Sequence, residues 1–131
     1  HCLFEESLLS PLIISHRNIA KPGESTESMV ETLDVFPTLC ELTGVPKPDF
    51  VHGVSLRPIL EDPNASGHPA IAYRNAHRTV RTDSHRLILH GDGYAELYDH
   101  ESSDGETKNI AGTDPKRVAE LTALIRQRLN E

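Results

Sequence analysis

Four short segments in the second half of the chain, each tending to alternate polar and apolar residues, constrain the fold most strongly. Turn-rich residues separate them, which is typical of short strands in one sheet. The segments are Ala70–Arg74, Arg78–Thr82, Arg86–His90 and Ala95–Asp99. The Gly91-Asp92-Gly93 turn between the last two favours a hairpin, because glycine tolerates positive φ. Such short connections predict an antiparallel meander.

A single amphipathic helix is predicted after these strands. Asp114 can cap the helix, and Pro115 suits its first position. One face carries the apolar residues Val118, Leu121, Leu124, Ile125 and Leu129. This stripe must be covered, and the preceding sheet is the nearest candidate. We therefore expect residues 68–131 to form a four-stranded antiparallel sheet with the helix across one face.

The first half of the chain predicts different structure. Pro11–Ser15 is a short apolar run led by proline, and it suits a buried strand of a parallel sheet. Residues 35–43 predict a short helix, whose first-turn amides Asp34 would cap and which Gly44 would end in a left-handed conformation. The apolar residues of this helix are expected to pack in a core: Val35, Phe36, Leu39, Cys40 and Leu42.

Proline is dense over residues 45–69, which favours an irregular connection with a single helical turn at residues 55–60. The composition changes near residues 62–68. We therefore predict two domains, one over residues 1–65 and a small C-terminal one over residues 66–131. The predicted fold class is α/β.

Composition excludes some partners. The formal net charge of −7 argues against a nucleic-acid surface, which requires clustered Lys and Arg. No apolar run approaches the about 20 residues that cross a bilayer, so no membrane partner is expected. Cys2, Cys40 and the histidines lack metal-ligand spacing, and Cys40 suits a buried free thiol.

Three blocks, taken in order, resemble the C-terminal half of sulfatases of the alkaline-phosphatase-like superfamily. They cover nearly the whole chain, and the second is most similar to iduronate-2-sulfatase-like and choline-sulfatase-like members. The first joins Phe4-Glu5-Glu6-Ser7 to Pro11-Leu12-Ile13-Ile14. The second runs over residues 30–45 and ends in Gly53-Val54-Ser55-Leu56 and Pro58-Ile59-Leu60. The third joins Val80-Arg81-Thr82-Asp83 and Arg86-Leu87-Ile88 to Glu96-Leu97-Tyr98-Asp99, Asp104-Gly105-Glu106 and Asn109-Ile110-Ala111. The chain departs from the family in having Leu9-Ser10 where Arg-Val is usual, and in lacking the usual proline within Asp104–Glu106.

The resemblance implies that residues 1–65 form the last elements of the family's main sheet. It places the family's active-site lysine just before His1, so the chain is expected to be the C-terminal piece of a larger enzyme. The N-terminal catalytic part of the same sulfatase would then be its partner. Calcium and formylglycine are implied for that parent enzyme. Neither cysteine has the required Pro and Arg neighbours and no Asp/Asn pair matches, so we assign this chain no catalytic residue, no metal ligand and no cofactor.

Substrate contact is the chemistry that could remain in this chain. A sulfated sugar is anionic, and Arg and His on loops at a sheet edge suit it. The candidate substrate-binding residues are His1, Arg74, His77 and Arg78. An ordinary solvated strand end explains each of them as well. Ion pairs across the hairpin with Glu96 or Asp99 would account for Arg81 and Arg86.

The leading functional hypothesis is the C-terminal portion of a sulfatase that hydrolyses sulfate esters of a sulfated small molecule or glycan. The chain alone is expected to be inactive, because the nucleophile and the metal ligands are absent. One alternative is a fragment of a related phosphodiesterase or phosphonate hydrolase, since the fold does not fix whether sulfur or phosphorus is attacked. Another is a non-catalytic module that binds or stabilises another chain.

Overall fold

A computed structural model describes residues 2–130, which divide into two compact units. The first, called the sheet unit below, comprises the residues up to Pro11 together with those from Pro69 onward. The second, called the loop-rich unit, comprises Leu12–His68. The first residues of the chain thus group with its C-terminal part rather than with the residues that follow them.

The sheet unit contains the predicted meander. Strands β1 (Ala70–Arg74), β2 (His77–Arg81), β3 (His85–Leu89) and β4 (Ala95–Asp99) are all antiparallel and lie in sequence order. This confirms the predicted topology, although β2 and β3 each begin and end one residue earlier than expected. Asn75 takes a positive φ of 53° in the β1–β2 turn, which allows the chain to reverse within two residues.

Helix α4 (Pro115–Leu129) ends the sheet unit and confirms the predicted helix. The Asp114 carboxylate accepts a hydrogen bond from the Arg117 amide at 2.9 Å and thereby satisfies one of the free first-turn donors. Leu121 and Ile125 of this helix are buried against Val80, Leu87 and Leu97 of the sheet, one from each of three adjacent strands. The helix therefore covers one face of the sheet, as predicted.

The opposite face of the sheet is contacted by the start of the chain. Residues 5–8 form a single helical turn, α1 (Glu5–Leu8), and the Phe4 ring before it lies 5.7 Å from the Tyr98 ring on β4. Thr79 and Ile88 on this same face are buried. The sheet consequently has material on both of its faces, α4 on one and the N-terminal segment on the other.

The loop-rich unit contains a 3₁₀ turn (Thr32–Asp34) and two short helices, α2 (Val35–Thr43) and α3 (Arg57–Glu61). Helix α2 confirms the prediction and ends at Gly44, which has a φ of 72°. Helix α3 confirms the single helical turn. The predicted strand at residues 11–15 is wrong, because these residues form no strand and Ile13 is 90% exposed. A short apolar run becomes a strand only where another strand can pair with it.

Two expectations for helix α2 are also corrected. The helix buries Pro37, Thr38 and Cys40, whereas Phe36 and Leu39 of the expected core stripe are 51% and 52% exposed. The buried free thiol of Cys40 is confirmed. The side chain of Asp34 makes no cap hydrogen bond to α2, because other partners occupy both of its oxygens.

None of the described helices combines the length and the apolar character needed to cross a bilayer.

Candidate functional site

A group of charged side chains joins the N-terminal segment to the sheet, and we call it the Arg86 cluster: Glu5, Arg81, Arg86, His100 and Glu106. Arg86 lies on β3 with only 2% of its surface exposed. Its Nε donates to Glu106, its Nη2 donates to Glu5, and its Nη1 donates to the Thr79 hydroxyl at 3.3 Å. A buried guanidinium needs such partners, because an unpaired buried charge is strongly destabilising.

Glu106 contacts three members of the Arg86 cluster: Glu5, Arg86 and His100. Its carboxylate accepts the backbone N–H of Glu5 at 2.7 Å and lies 3.0 Å from His100 Nε2. One carboxylate therefore fixes both the side chain of Arg86 and the backbone of residue 5. This docks helix α1 onto the polar face of the sheet.

The expected partners of the two strand arginines are corrected by these contacts. Arg86 pairs with Glu5 and Glu106, and Arg81 Nε lies 3.5 Å from Glu5, so neither ion pair is with Glu96 or Asp99. Burial lowers the pKa of Arg81, and the nearby Glu5 carboxylate partly offsets this effect. The N-terminal segment takes the position that a cross-hairpin pair would otherwise have occupied.

A hydrogen-bonded row continues along the same face of the sheet. The Tyr98 hydroxyl donates to Glu96, and Glu96 in turn faces His90 Nε2. Burial, and then the hydrogen bond to the Glu96 carboxylate, raise the pKa of Tyr98. The row ends where the His90 ring meets the His77 ring edge to face, with 5.1 Å between the ring centroids.

The structure places three of the four sequence-predicted contact residues near that end of the sheet. Arg74 and His77 are register partners on β1 and β2, beside the β1–β2 turn. Arg78 follows His77, with its guanidinium 5.7 Å from the centre of the Tyr73 ring and its Nη1 donating to the Asn75 carbonyl at 2.8 Å. His1 lies outside the described residues.

A second polar cluster, of Glu31, Asp34 and His68, lies within the loop-rich unit. Asp34 is fully buried, and its two oxygens accept the backbone N–H groups of Glu31 at 2.7 Å and Val54 at 2.8 Å. His68 lies between the two carboxylates, with Nε2 2.8 Å from Asp34 and Nδ1 3.7 Å from Glu31. The cluster ties three separate stretches of an otherwise irregular chain together.

In the described residues, the two clusters are where groups of three possible metal ligands gather, so they are the candidate sites for the calcium ion that the sequence resemblance implies. Calcium takes 6–8 oxygen ligands. Glu5, His100 and Glu106 bring ligand atoms within 4.8 Å of one another, but the Arg86 guanidinium already pairs with both carboxylates. In the second cluster, the Asp34 oxygens already accept backbone amides. Neither donor set fits calcium, and both clusters are structural.

Comparison with known proteins identifies the family. The family described as "N-sulphoglucosamine sulphohydrolase, C-terminal" matches residues 1–131. The chain is 30% identical over 142 residues to arylsulfatase K of Xenopus laevis, a match that covers 95% of this chain and 26% of that protein. It is also 30% identical over 139 residues to a delta 4,5-hexuronate-2-O-sulfatase of Bacteroides thetaiotaomicron, covering 93% of this chain and 28% of that protein.

The fold has relatives among solved structures. A protein solved in complex with its substrate, D-glucosamine-2-N,6-O-disulfate, matches with a TM-score of 0.60 and 26% identity, covering 72% of this chain and 23% of that one. The chain therefore belongs to the C-terminal family of the sulfatases, which confirms the resemblance. It spans about a quarter of the length of the curated relatives it matches.

The Arg86 cluster joins two of the family-like blocks of this chain. Glu5 comes from the first family-like block and Glu106 from the third, and both bind one arginine that lies between them in sequence. These residues belong to the family-like blocks of the sequence, but their contacts are not predictable from it, because Glu5 lies 81 positions from Arg86 and leaves no local signal. It also missed His90, Tyr94 and the Asp34 cluster.

Proposed function

We propose that the protein carrying this chain is a sulfatase that hydrolyses sulfate esters of a carbohydrate. The observation that carries the proposal is the family match over the whole chain, residues 1–131. Two similar proteins support a carbohydrate as the substrate, since one is a hexuronate-2-O-sulfatase and the other was solved with a sulfated glucosamine. The chain itself supplies a rigid sheet unit with a polar face.

The proposed partner of this chain is the N-terminal catalytic part of the same sulfatase. Support comes from the loop-rich unit, where Leu33, Phe36 and Leu39 are more than half exposed. Apolar groups of this kind gain free energy when another surface removes them from water.

The calcium ion and formylglycine belong to that partner in this proposal, since neither polar cluster of the described chain fits a calcium ion. When present, they would supply charge neutralisation at the sulfate group and the nucleophile. The share of this chain is to hold the N-terminal segment in place through Arg86 and to present the end of the sheet that carries Arg74 and His77 to the sugar. Roles for His1 and Arg78 in binding stay predictions.

Sulfate release from sulfated sugars tests the proposal. The 131-residue chain and a longer protein that carries it would be assayed side by side with calcium, on sulfated glucosamine and sulfated hexuronate substrates. We expect the longer protein to release sulfate and the short chain to release none. Turnover that follows the short chain through purification would contradict the assignment. Release of phosphate from a phosphodiester, with no sulfate released from any sugar, would favour the phosphodiesterase alternative.

A further inference from the structure

The two hairpin turns at one end of the sheet bring together Arg74, His77, His90 and Tyr94, and three of these side chains can donate hydrogen bonds to a ligand: Arg74, His77 and Tyr94. Arg74 ends β1 and His77 begins β2, while His90 and Tyr94 flank the β3–β4 turn. The rings of His77 and His90 are 5.1 Å apart, and those of His90 and Tyr94 are 5.5 Å apart. The chain has a formal net charge of −7, and this end of the sheet differs from that average because it carries Arg and His side chains.

Strand alternation separates these residues from Arg78. Successive side chains of a strand point to opposite faces, so Arg74 and His77 share a face that Tyr73 and Arg78 do not. Arg78 is the register partner of Leu89 as well as of Tyr73. Arg78, Tyr73 and Leu89 therefore lie on the face opposite the hydrogen-bonded row, which is the face that α4 covers.

The ring of His77 is held in one tautomer. Its Nδ1 accepts the backbone N–H of Gly91 at 3.4 Å, and an accepting nitrogen carries no proton. The hydrogen of the neutral ring is therefore on Nε2, which is a donor. The same contact links the two turns, and a Cβ at Gly91 would lie 2.5 Å from the Ala76 Cβ. The two turns are therefore in direct contact.

His90 and Tyr94 are held in the same manner. The Glu96 carboxylate accepts from His90 Nε2 and is itself fixed by the Tyr98 hydroxyl. The neutral His90 ring therefore has no further N–H to donate, and His90 contributes by packing against the rings of His77 and Tyr94. The Tyr94 hydroxyl oxygen accepts from Asn109 Nδ2 at 3.1 Å, which leaves the hydroxyl hydrogen to donate elsewhere. The Tyr94 ring is 56% exposed and offers an aromatic surface to a sugar.

We propose that Arg74, His77 and Tyr94, with the His90 ring packed between the rings of His77 and Tyr94, form a subsite that binds a sulfate group of a sulfated sugar. The proposal rests on the proposed function and adds the residues and the chemical group. Sulfate presents oxygens that accept hydrogen bonds from a guanidinium, an imidazole and a hydroxyl at once. Donors already fixed by a supporting layer of hydrogen bonds lose little freedom when the anion binds. His90 and Tyr94 enter the site through the fold, and Arg78 does not belong to it.

Nuclear magnetic resonance of the 131-residue chain tests the subsite directly. The probe is glucosamine 6-sulfate, with inorganic sulfate and unsulfated glucosamine as comparison ligands. We expect saturable shifts of the His77 and His90 ring signals and of the amides of residues 74–77 and 90–94 with the sulfated sugar. Inorganic sulfate should shift the same signals more weakly, and glucosamine should leave them in place.

Substitutions then identify the binding groups. Arg74→Gln and His77→Gln should each weaken binding about tenfold, the effect of losing one hydrogen bond from a charged or oriented donor. His85→Gln is the matched control, because His85 begins β3 at the other end of the sheet. It should leave the affinity unchanged. The amide spectrum of each variant reports whether the sheet is intact, and Tyr94→Phe replaces any variant that fails to fold.

The outcomes separate this subsite from the proposed function. Shifts centred elsewhere, equal shifts with unsulfated glucosamine, or no saturable shift at millimolar sugar would overturn the subsite. So would unchanged affinity in the Arg74 and His77 variants, or in the Tyr94 variant where it replaces one of them. Sulfate release by the longer protein would still stand in each case, since that assay measures hydrolysis by the unsubstituted protein and not binding to this chain. Conversely, binding here with no hydrolysis by the longer protein would keep the subsite and remove the sulfatase proposal.

Discussion

The two units are held together by different forces. The sheet unit has an apolar cluster formed by five fully or almost fully buried side chains: Val80, Leu87, Leu97, Leu121 and Ile125. In the described part of the loop-rich unit, the buried apolar side chains are Pro37, Cys40 and Leu56. That unit depends instead on hydrogen bonds from a few polar anchors. The Thr38 hydroxyl, for example, accepts the Leu56 amide at 2.8 Å and donates to the Asp34 carbonyl at 2.6 Å.

The difference teaches what each unit needs from its surroundings. Burial of apolar surface is the dominant favourable term in folding, so a unit with its own apolar cluster can be stable by itself. Polar anchors fix a conformation but contribute little net free energy, because water satisfies the same groups in the unfolded chain. We infer that the loop-rich unit depends on an additional surface, and that the sheet unit does not.

The largest effect is expected when the buried charge of the sheet unit is removed. Arg86→Met leaves the Glu5 and Glu106 carboxylates without their shared cation, and we expect the free energy of unfolding to fall by about 3–5 kcal/mol. Thermal unfolding followed by circular dichroism measures it. Arg57→Met in the loop-rich unit is the matched control, since Arg57 also pairs with two glutamates but is half exposed. A similar loss of stability in both variants would break the comparison.

The next effect comes from one substitution made in both units. Leu97→Ala removes a fully buried side chain from the apolar cluster and should cost about 2–5 kcal/mol. Leu39→Ala removes the same atoms from a half-exposed position on α2 and should change the urea midpoint far less. If Leu39→Ala were as destabilising as Leu97→Ala, the loop-rich unit would contain a core that its exposed side chains do not indicate.

A smaller effect is expected at the main polar anchor of the loop-rich unit. Asp34→Ala leaves the Glu31 and Val54 amides without an acceptor, and we expect a local loss of about 1–3 kcal/mol. Amide spectra should show changes within residues 28–68 and none in the sheet. Asp49→Ala, at an exposed loop position, is the control. Changes that spread to the β3 and β4 amides would show that the two units do not respond separately.

The sequence predicted the sheet unit far better than the loop-rich unit, for a physical reason. Alternation along Ala95–Asp99 and the stripe on Pro115–Leu129 are local patterns, and the partners they need lie nearby in the chain. Residues 11–15 were predicted as a strand from their apolar composition alone, and composition does not supply a pairing strand. The expected core stripe of α2 is wrong for a related reason, because helical spacing identifies an apolar face and does not supply the surface that covers it.

The candidate site was only partly predictable. Arg74 and His77 could be named because Arg and His beside a turn are visible in sequence. The contacts of Arg86 with Glu5 could not, because they join residues 81 positions apart. His90 and Tyr94 enter the proposed subsite only because a meander places its two outer turns at the same end of the sheet.

Hydrogen exchange on the monomeric chain tests the inferred difference between the units most directly. We expect the amides of residues 80–98 that bond within the sheet, and those of residues 118–128, to exchange slowest. The Glu5 amide, which donates to Glu106, should exchange with them rather than with its neighbours in sequence. The amides of residues 12–15 and 38–43 should exchange much faster. Equal or reversed protection would mean that the loop-rich unit is stable by itself, and the inference that it needs a covering surface would be wrong.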